Sequence, residues 1–393
     1  MRSKKRIAIW LMLCFFCVMP GYAQIIRSDF DQNGSIDFKD FLLFAQAFGK
    51  ADALFDLDGN GTVAFGDFLV FVTDFASHNQ QSPRWVQLET TSDIPIERFD
   101  HTMIIDPIAS RLVIFGGKTA ESLNDTWIFD LNNRSWRKVQ TATEPKARRG
   151  HTAIYDAPRH RMVIFGGQQN SDFFNDIWTF DLAKETWQEL TVSSNRPVPR
   201  YGTSAIVDAQ NNRMIISHGF SSAGRFDDTW AFDLTQHTWT NITPSSGPKP
   251  LKRCLHDAIF DEANNRMLLF GGCSSGFGPC PQGDLWTFNL ANHTWAELQP
   301  ASETPSARGN PALIYDAANK QMFLFGGATT QATDDTWRCD VTTQTWKSLS
   351  IQGKMPLARW SHDAVIDTTS RRLLIFGGTN GAVRFNDLWA LSF

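Results

Sequence analysis

The sequence predicts an all-β domain of six four-stranded blades closed into a β-propeller, preceded by a small all-α domain. Three observations support this architecture. A sequence repeat of about fifty residues occurs six times, which is typical of an array of supersecondary units. A shorter acidic segment is duplicated ahead of this array, and a lone strand at Trp85 precedes a last repeat that ends after its third strand.

Residues 1–23 have the three parts of a secretory signal peptide. An apolar core at 7–19 follows the basic start, and the small residues Gly21 and Ala23 precede the expected cleavage site. The basic residues are Arg2, Lys4, Lys5 and Arg6. We therefore expect a secreted protein, extracellular or at the cell surface, with no transmembrane segment after cleavage.

Charge then excludes one class of partner. Without residues 1–23 the chain has 33 Lys and Arg against 41 Asp and Glu, a net charge of 33 − 41 = −8. An acidic chain without a basic stripe argues against nucleic acid as a ligand.

Two loops in the first domain, residues 24–76, place oxygen-bearing side chains at alternate positions and glycine at the sixth. This spacing suits calcium, a hard cation that prefers oxygen ligands, so two Ca²⁺ sites are predicted. The first loop contributes Asp29, Asp31, Asn33, Ser35, Asp37 and Asp40. The second contributes Asp56, Asp58, Asn60, Thr62 and Asp67, with Ala64 at the position of Asp37, where we expect a water ligand.

Both loops end in Asp where a standard EF-hand has Glu, and too few residues precede Asp29 for an entering helix. In these respects the domain resembles a dockerin, a duplicated calcium-binding loop-helix module of secreted bacterial proteins. The resemblance implies a cohesin-like protein partner, and a calcium-stapled spacer is the alternative. Phenylalanines at helical spacing predict that the two helices pack on each other; they are Phe38, Phe41, Phe44, Phe48, Phe65, Phe68, Phe71 and Phe75. Residues 77–84 are predicted to be a linker.

The clearest copy of the long repeat runs from Arg148 to Trp187. It contains four predicted strands, in HTAIYD, RMVIFGG, DIWTFDL and ETWQEL, with Gly-Gly after the second and a Trp in the third and fourth. Residues 85–393 resemble the kelch-repeat family on these motifs, and the resemblance implies a six-bladed kelch β-propeller. The strand at Trp85 is expected to complete the sixth blade and close the ring.

Loop lengths distinguish the two faces of this propeller. The turns between the first and second strands and between the third and fourth have constant lengths, whereas the other loops vary and define a variable face. Each blade has an Arg before its first strand: Arg98, Arg148, Arg200, Arg253, Arg308 and Arg359. We expect these arginines to tie loops to carbonyls of the neighbouring blade, and the His three residues after most of them to form structural hydrogen bonds.

The position immediately after each Arg differs from repeat to repeat. Its residues are Phe99, Arg149, Tyr201, Cys254, Gly309 and Trp360. Aromatic and cationic side chains at a channel mouth suit stacking on a sugar or binding an acidic peptide. We therefore predict a ligand site at Phe99, Arg149, Tyr201 and Trp360. Exposed loop residues without a ligand are the alternative.

Four cysteines remain after signal cleavage. A disulfide between Cys273 and Cys280 is expected, with a Cys254–Cys273 bridge as the rival, whereas Cys339 takes a core position filled by Phe in other blades.

Together these features predict a secreted, calcium-containing, non-catalytic protein- or glycan-binding protein. The alternative is an extracellular carbohydrate-active enzyme (epimerase, lyase or oxidase) that uses the variable face. No catalytic residue is assigned, because Tyr155 and Tyr315 occupy core positions and no nucleophile motif stands out in the repeats.

Overall fold

The protein is described here from a computed structural model. The described residues are 27–31, 36, 38–79, 83–90, 92–192, 195–274, 280–301, 303–351 and 353–393. The chain divides into two compact units, residues 1–81 and 82–393. The predicted signal peptide at 1–23 lies outside the described residues.

The first unit contains helix α1 (Phe38–Ala47) and helix α2 (Phe65–Asn79), each directly after one acidic loop. Its core is built from one buried phenylalanine of each helix, Phe44 and Phe71, whose ring centroids are 5.5 Å apart. Helix α2 runs three residues beyond the predicted end of this domain, so Ser77 to Asn79 belong to the helix rather than to a linker.

Only half of the predicted phenylalanine stripe packs between the helices. Phe41 and Phe68 are half-buried beside the buried pair, whereas Phe38, Phe48 and Phe65 are 50–69% exposed and Phe75 is 38% exposed. The outer rings contact rings of their own helix, as Phe38 does Phe41 and Phe65 does Phe68.

The second unit contains six four-stranded antiparallel sheets, and we name the strands of each blade a to d in chain order, with a innermost. The a strands are Thr102–Asp106, Thr152–Asp156, Ser204–Asp208, Asp257–Asp261, Ala312–Asp316 and Asp363–Asp367. The b strands are Arg111–Phe115, Arg161–Phe165, Arg213–Ser217, Arg266–Phe270, Gln321–Phe325 and Arg372–Phe376. The c strands are Thr126–Asp130, Ile177–Asp181, Thr229–Asp233, Leu285–Asn289, Thr336–Asp340 and Leu388–Ser392.

The d strands are Ser135–Lys138, Thr186–Glu189, Thr238–Asn241, Thr294–Leu298 and Thr345–Ser348 in blades 1–5, and Arg84–Gln87 in blade 6. The last of these pairs antiparallel with the C-terminal strand, with Arg84 opposite Ser392 and Gln87 opposite Trp389. The predicted closure of the ring by the strand at Trp85 is therefore confirmed.

Adjacent blades pack face to face. Each b strand is buried along nearly its whole length, which is why these strands are continuously apolar. In one interface Ile154 and Phe165 of blade 2 form a core with Met214 and Trp239 of blade 3. The d-strand Trp of each blade is buried, and its large ring fills the widening space between neighbouring sheets.

Each of the six repeat arginines is fully buried in its own blade. In blade 2, Arg148 donates to the carbonyl of Gly166 at 2.9 Å and makes a bidentate pair with Asp176 at 2.7 and 2.8 Å. The Trp178 indole donates to the same carboxylate at 2.9 Å. The expected side-chain link to the neighbouring blade is therefore wrong; instead the main-chain carbonyl of Arg200 in blade 3 accepts from the second glycine of blade 2.

The acidic partner stands two residues before the c-strand Trp in every blade: Asp125, Asp176, Asp228, Asp284, Asp335 and Asp387. Burial alone raises the pKa of these carboxyls, but the guanidinium and indole donors outweigh it and hold each pKa below its usual value. A buried charge that is fully hydrogen-bonded fixes the geometry of its loop, so these clusters set where strand a begins.

Candidate binding face around the central channel

The six a strands surround a central channel. Each contacts the a strand of both neighbouring blades, and together they line a cavity of about 400 Å³. Since strand a is the inner edge of its sheet, the backbone groups that the sheet leaves unpaired lie toward the axis.

A closed ring of six backbone hydrogen bonds surrounds the channel on the variable face. It is formed by the residue two positions after each repeat Arg, whose N–H donates to the equivalent carbonyl of the preceding blade at 2.7–3.3 Å. The members are Asp100, Gly150, Gly202, Leu255, Asn310 and Ser361, and all have positive φ, between 47° and 64°. For Leu255 this conformation is strained, so the ring holds it in place.

The residue before each ring member forms a bridge with the residue that follows Gly-Gly, for example Tyr201 with Phe220 and Trp360 with Thr379. At these non-repeating positions the blades differ in exposure. Cys254 and Gly309 in blades 4 and 5 are buried, whereas Phe99, Arg149, Tyr201 and Trp360 are half-buried. The four predicted ligand residues thus lie on four consecutive blades, 6, 1, 2 and 3, which we call the arc.

Arg149 and Tyr201 form the best-defined contact within the arc. The guanidinium lies 5.1 Å from the centroid of the Tyr201 ring, and its Nη1 is 3.2 Å from Oδ2 of Asp100. A side chain at Gly150 has no room, because its Cβ would lie 2.0 Å from the Tyr201 ring. Burial raises the pKa of Asp100 despite Arg149, and it raises the pKa of Tyr201 well above the usual value, so the phenol stays neutral.

Three further residues extend this contact, and the sequence interpretation missed them. Phe173 and Phe220 belong to two short hairpins of blades 2 and 3, with ring centroids 5.8 Å apart, and Arg225 lies over Phe220 at 5.5 Å. For Phe220 the available signal was the residue after Gly-Gly, which also differs from repeat to repeat: Lys118, Gln168, Phe220, Cys273, Ala328 and Thr379. Phe173 and Arg225 had no such signal.

Two carboxylates inside the channel were also missed. Asp257 accepts the N–H of Leu313 at 2.8 Å, and Asp363 accepts the N–H of Met103 at 2.6 Å, each from the a strand of the next blade. Burial raises the pKa of both carboxyls to about 7. The signal was the first position of strand a, where three blades have Thr102, Thr152 and Ser204.

The histidines three residues after the repeat arginines differ in their hydrogen bonds. His151 and His256 bond to hydroxyls of the preceding blade, Thr102 and Ser204, both at 2.8 Å. His101 and His362 are buried, and burial lowers the pKa of each, to about 3 for His362. Among the described residues, histidine belongs to no group of side chains that could hold a metal ion.

Both acidic loops of the helical unit bring carboxylates together. Oxygens of Asp29, Asp31 and Asp40 lie within 4.8 Å of one another, as do those of Asp56, Asp58 and Asp67. In the second loop Asp67 accepts the N–H of Asp58 at 2.9 Å, and the oxygens of Asp56 accept three loop N–H groups. The predicted ligands Asn33, Ser35 and Asp37 lie outside the described residues.

Cys273 and Cys280 are joined in a disulfide, with Cα atoms 4.7 Å apart. Cys254 and Cys339 are free and buried, as predicted for Cys339.

Comparison with known families agrees with the six blades. A family model described as the KLHDC2/KLHL20/DRC7 Kelch-repeats domain matches residues 64–272 and 260–393. The chain belongs to the kelch-repeat family. Its kelch propeller keeps the Gly-Gly and paired Trp positions in the blade geometry described above, although blade 3 has His218-Gly219 in place of Gly-Gly.

Several eukaryotic proteins are similar to this chain. Adagio protein 3 of Arabidopsis thaliana is 28% identical over 293 residues, covering 70% of this chain and 46% of the relative. Host cell factor homolog hcf-1 of Caenorhabditis elegans is 24% identical over 354 residues, covering 78% and 44%. The F-box/kelch-repeat protein At1g51550 of Arabidopsis thaliana is 28% identical over 333 residues, covering 74% and 68%.

The kelch chain spans less than half the length of the first two of these relatives. Within the described ranges, no helix combines the length and apolarity needed to cross a bilayer.

Proposed function

We propose that this protein is a secreted, calcium-containing, non-catalytic binding protein. Its kelch propeller binds a protein or glycan ligand on the arc, and its helical unit docks the protein to a second partner. The observation that carries the first part is the group of half-buried aromatic rings and guanidinium groups on blades 2 and 3.

This group has the chemistry of a binding centre. Tyr and Arg are enriched at interface hot spots, because each combines a large contact area with a polar end. Tyr201 and Phe220 offer flat surfaces for a sugar ring or an aromatic side chain. Arg225 donates its Nε–H to the carbonyl of Cys273 at 2.9 Å, and no salt bridge to it is found among the described residues. An acidic peptide or an anionic sugar therefore fits the arc.

The helical unit supports calcium binding. Its two clusters contain only oxygen ligands, and three carboxylates held within 4.8 Å of one another repel unless a cation is bound. Asp40 and Asp67, the proposed closing ligands of the two loops, are fully buried. Asp29, Asp31, Asp40, Asp56, Asp58 and Asp67 would hold the ions, with Asn60 and Thr62 completing the second loop.

The same unit supports docking. Exposed apolar residues on α1 recur on α2 with an offset of 27 positions, as in Phe38 and Phe65 or Leu42 and Leu69. Duplication has thus produced two equivalent apolar helix faces, and 38–69% of these side chains is exposed. Exposed apolar patches of this kind mark interaction sites. We propose a cohesin-like protein as their partner.

Glycan and peptide arrays probed with the full chain test the propeller part. Ligands on the arc should lose at least about thirtyfold in affinity on Tyr201→Ala or Arg149→Ala, the effect of removing a central interface residue. Ile108→Ala, at an exposed turn of the constant face, is the matched control. Binding that survives both arc variants but falls with Ile108→Ala would place the ligand elsewhere.

A carbohydrate-active enzyme is the second candidate. Asp257 and Asp363 favour it, because carboxyls with pKa values of about 7 suit general acid–base catalysis. Their bonds to neighbouring strands also suit a structural role, so turnover of a glycan found on the array, and its loss in Asp363→Asn, would decide for the enzyme.

A further inference from the structure

Three cysteines of blade 4 meet beside the arc. Cys254 and Cys273 lie opposite each other and exchange both backbone hydrogen bonds, at 3.1 Å and 2.8 Å. Hydrogen-bonded antiparallel pairs have Cα atoms about 5.5 Å apart, within the range that a disulfide spans. Cys273 nevertheless forms its disulfide with Cys280, and Cys254 remains a thiol.

The surroundings favour a sulfur–sulfur reaction at this point. Arg225 donates from Nε to the carbonyl of Cys273 at 2.9 Å, and its guanidinium also acts on the Cys254 thiol. Burial raises the pKa of Cys254, and the hydrogen bond and charge of Arg225 oppose that rise. The next blade has Gly309 beside Cys273, where a Cβ would lie 3.3 Å from the sulfur.

We propose that Cys254, Cys273 and Cys280 form an internal thiol–disulfide exchange site. The Cys254 thiol loses its proton to solvent, and its thiolate attacks Sγ of Cys273. The Cys254–Cys273 bond forms as the Cys273–Cys280 bond breaks, and Cys280 leaves as a thiolate that takes up a proton. The number of thiols and disulfides is unchanged, so no oxidant or reductant is consumed.

The two states differ in which thiol is accessible. Cys254 is 2% exposed, whereas Cys280 is in the exposed class. Exchange therefore moves the reactive thiol from the interior of blade 4 to the surface of the variable face. There its thiolate can attack the disulfide of a second molecule, forming a mixed disulfide and releasing the other sulfur of that molecule as a thiolate, an activity independent of ligand binding on the arc.

Alkylation of the native full chain tests the site. N-ethylmaleimide at pH 8, without added thiol, should label Cys280 and trap a Cys254–Cys273 disulfide, both read by peptide mass spectrometry after digestion. Label on Cys254 with an intact Cys273–Cys280 bond, or no label on either, would overturn the proposal. Cys339 is the internal control, because it is buried in the same blade array and has no disulfide beside it.

Variants separate exchange from local unfolding. Cys254→Ser should slow native labelling of Cys280 by at least about tenfold, since no nucleophile remains to release it, whereas Cys339→Ser should not change it. Arg225→Gln should slow the labelling of Cys280 by a smaller factor, because the pKa of the Cys254 thiol rises when Arg225 no longer lowers it. With oxidised glutathione, Cys280→Ser should form the Cys254–Cys273 disulfide. Two free thiols in that variant, or undiminished labelling of Cys280 in Cys254→Ser, would contradict the mechanism.

Discussion

Asp257 and Asp363 place carboxylates at the start of strand a, where three other blades have hydroxyls and blade 5 has Ala312. Each accepts a main-chain N–H from the neighbouring strand, so each links two blades across the channel wall. This link is made at an electrostatic cost, because burial disfavours the charged form and the two carboxylates also repel each other.

That cost predicts a pH dependence of stability. The folded-state pKa of about 7 exceeds the usual 3.8, so the folded protein keeps protons that the unfolded chain has released. The contribution of both groups is therefore complete below pH 3.8 and is lost as the pH rises to about 7. Asp257→Asn and Asp363→Asn should raise the Tm relative to wild type by at least about 3 °C more at pH 8 than at pH 4.

Scanning calorimetry at the two pH values makes this comparison. Asp334→Asn, at an exposed loop position, is the control and should give the same difference from wild type at both. A pH-independent effect of the channel variants would show that the carboxyls are charged in the folded protein without penalty.

At the scale of single residues, the sequence predicted which side chains matter better than it predicted which side chains they contact. The regular Arg and Trp positions were evident, but the Asp that completes each cluster was overlooked, because it is separated from its Arg by 27–31 residues and the contact exists only after the blade folds. Asp257 and Asp363 were overlooked for a related reason. They stand out only when one strand position is compared across blades.

The helices and strands were predicted largely from spacing. Period-two strands and Gly-Gly turns follow from local rules, which is why each blade was recognised. The end of α2 was not, because the polar segment after Phe75 has linker composition but continues a helix that is already formed. The burial of only the middle phenylalanines depends on contacts between the two helices, which the spacing within one helix does not encode.

Calcium removal tests the helical unit as an element. EGTA should abolish the circular dichroism of α1 and α2, because residues 24–76 carry nine acidic against three basic residues and the clusters repel without a cation. The propeller transition in calorimetry should keep its Tm. The double variant Asp56→Asn/Asp67→Asn should bind one Ca²⁺ instead of two. The control variant Asp52→Asn, changed at the start of the turn before the second loop, should still bind both ions. Helical signal unchanged by EGTA would exclude calcium as the staple.

The propeller ring closes where its first strand, Arg84–Gln87, pairs with Leu388–Ser392, and Trp85 of that first strand also packs against blade 5. Trp85 is 3% exposed and lies 5.0 Å from Phe325 of blade 5. Trp346 occupies the same position in blade 5, is equally buried, and lies 5.7 Å from Phe270. The two differ in connectivity, since the strand of Trp346 is held by chain on both sides within the ring, whereas that of Trp85 is the first strand of the propeller.

We expect Trp85→Ala and Trp346→Ala each to lower the free energy of unfolding by about 3–5 kcal/mol, because each removes a buried ring. The two variants should nevertheless differ in where the structure opens. Loss of Trp85 should release strand Arg84–Gln87 and open the edge of Leu388–Ser392, so amide exchange there should accelerate far more than elsewhere. In Trp346→Ala exchange should rise across several blades. Equal protection of Leu388–Ser392 in both variants would mean that closure does not depend on this residue.

The closure of the ring was predictable from counting strands. The lone first strand and the last blade, which lacks one strand, complete each other. The four residues of the arc were singled out in the sequence because their position does not repeat. Their exposure was not encoded there: blades 4 and 5 bury the residue at this position, whereas the other four blades leave it half-buried.

The closed ring of hydrogen bonds at the channel also has an electrical consequence. Its six N–H groups all point in the same rotational sense, each toward the preceding blade. A peptide group has a dipole of about 3.5 D, but dipoles that follow one another around a circle sum to nearly zero. Unlike the end of a helix, this opening therefore attracts neither anions nor cations through its backbone, and discrimination by charge is left to side chains such as Asp100 and Arg149.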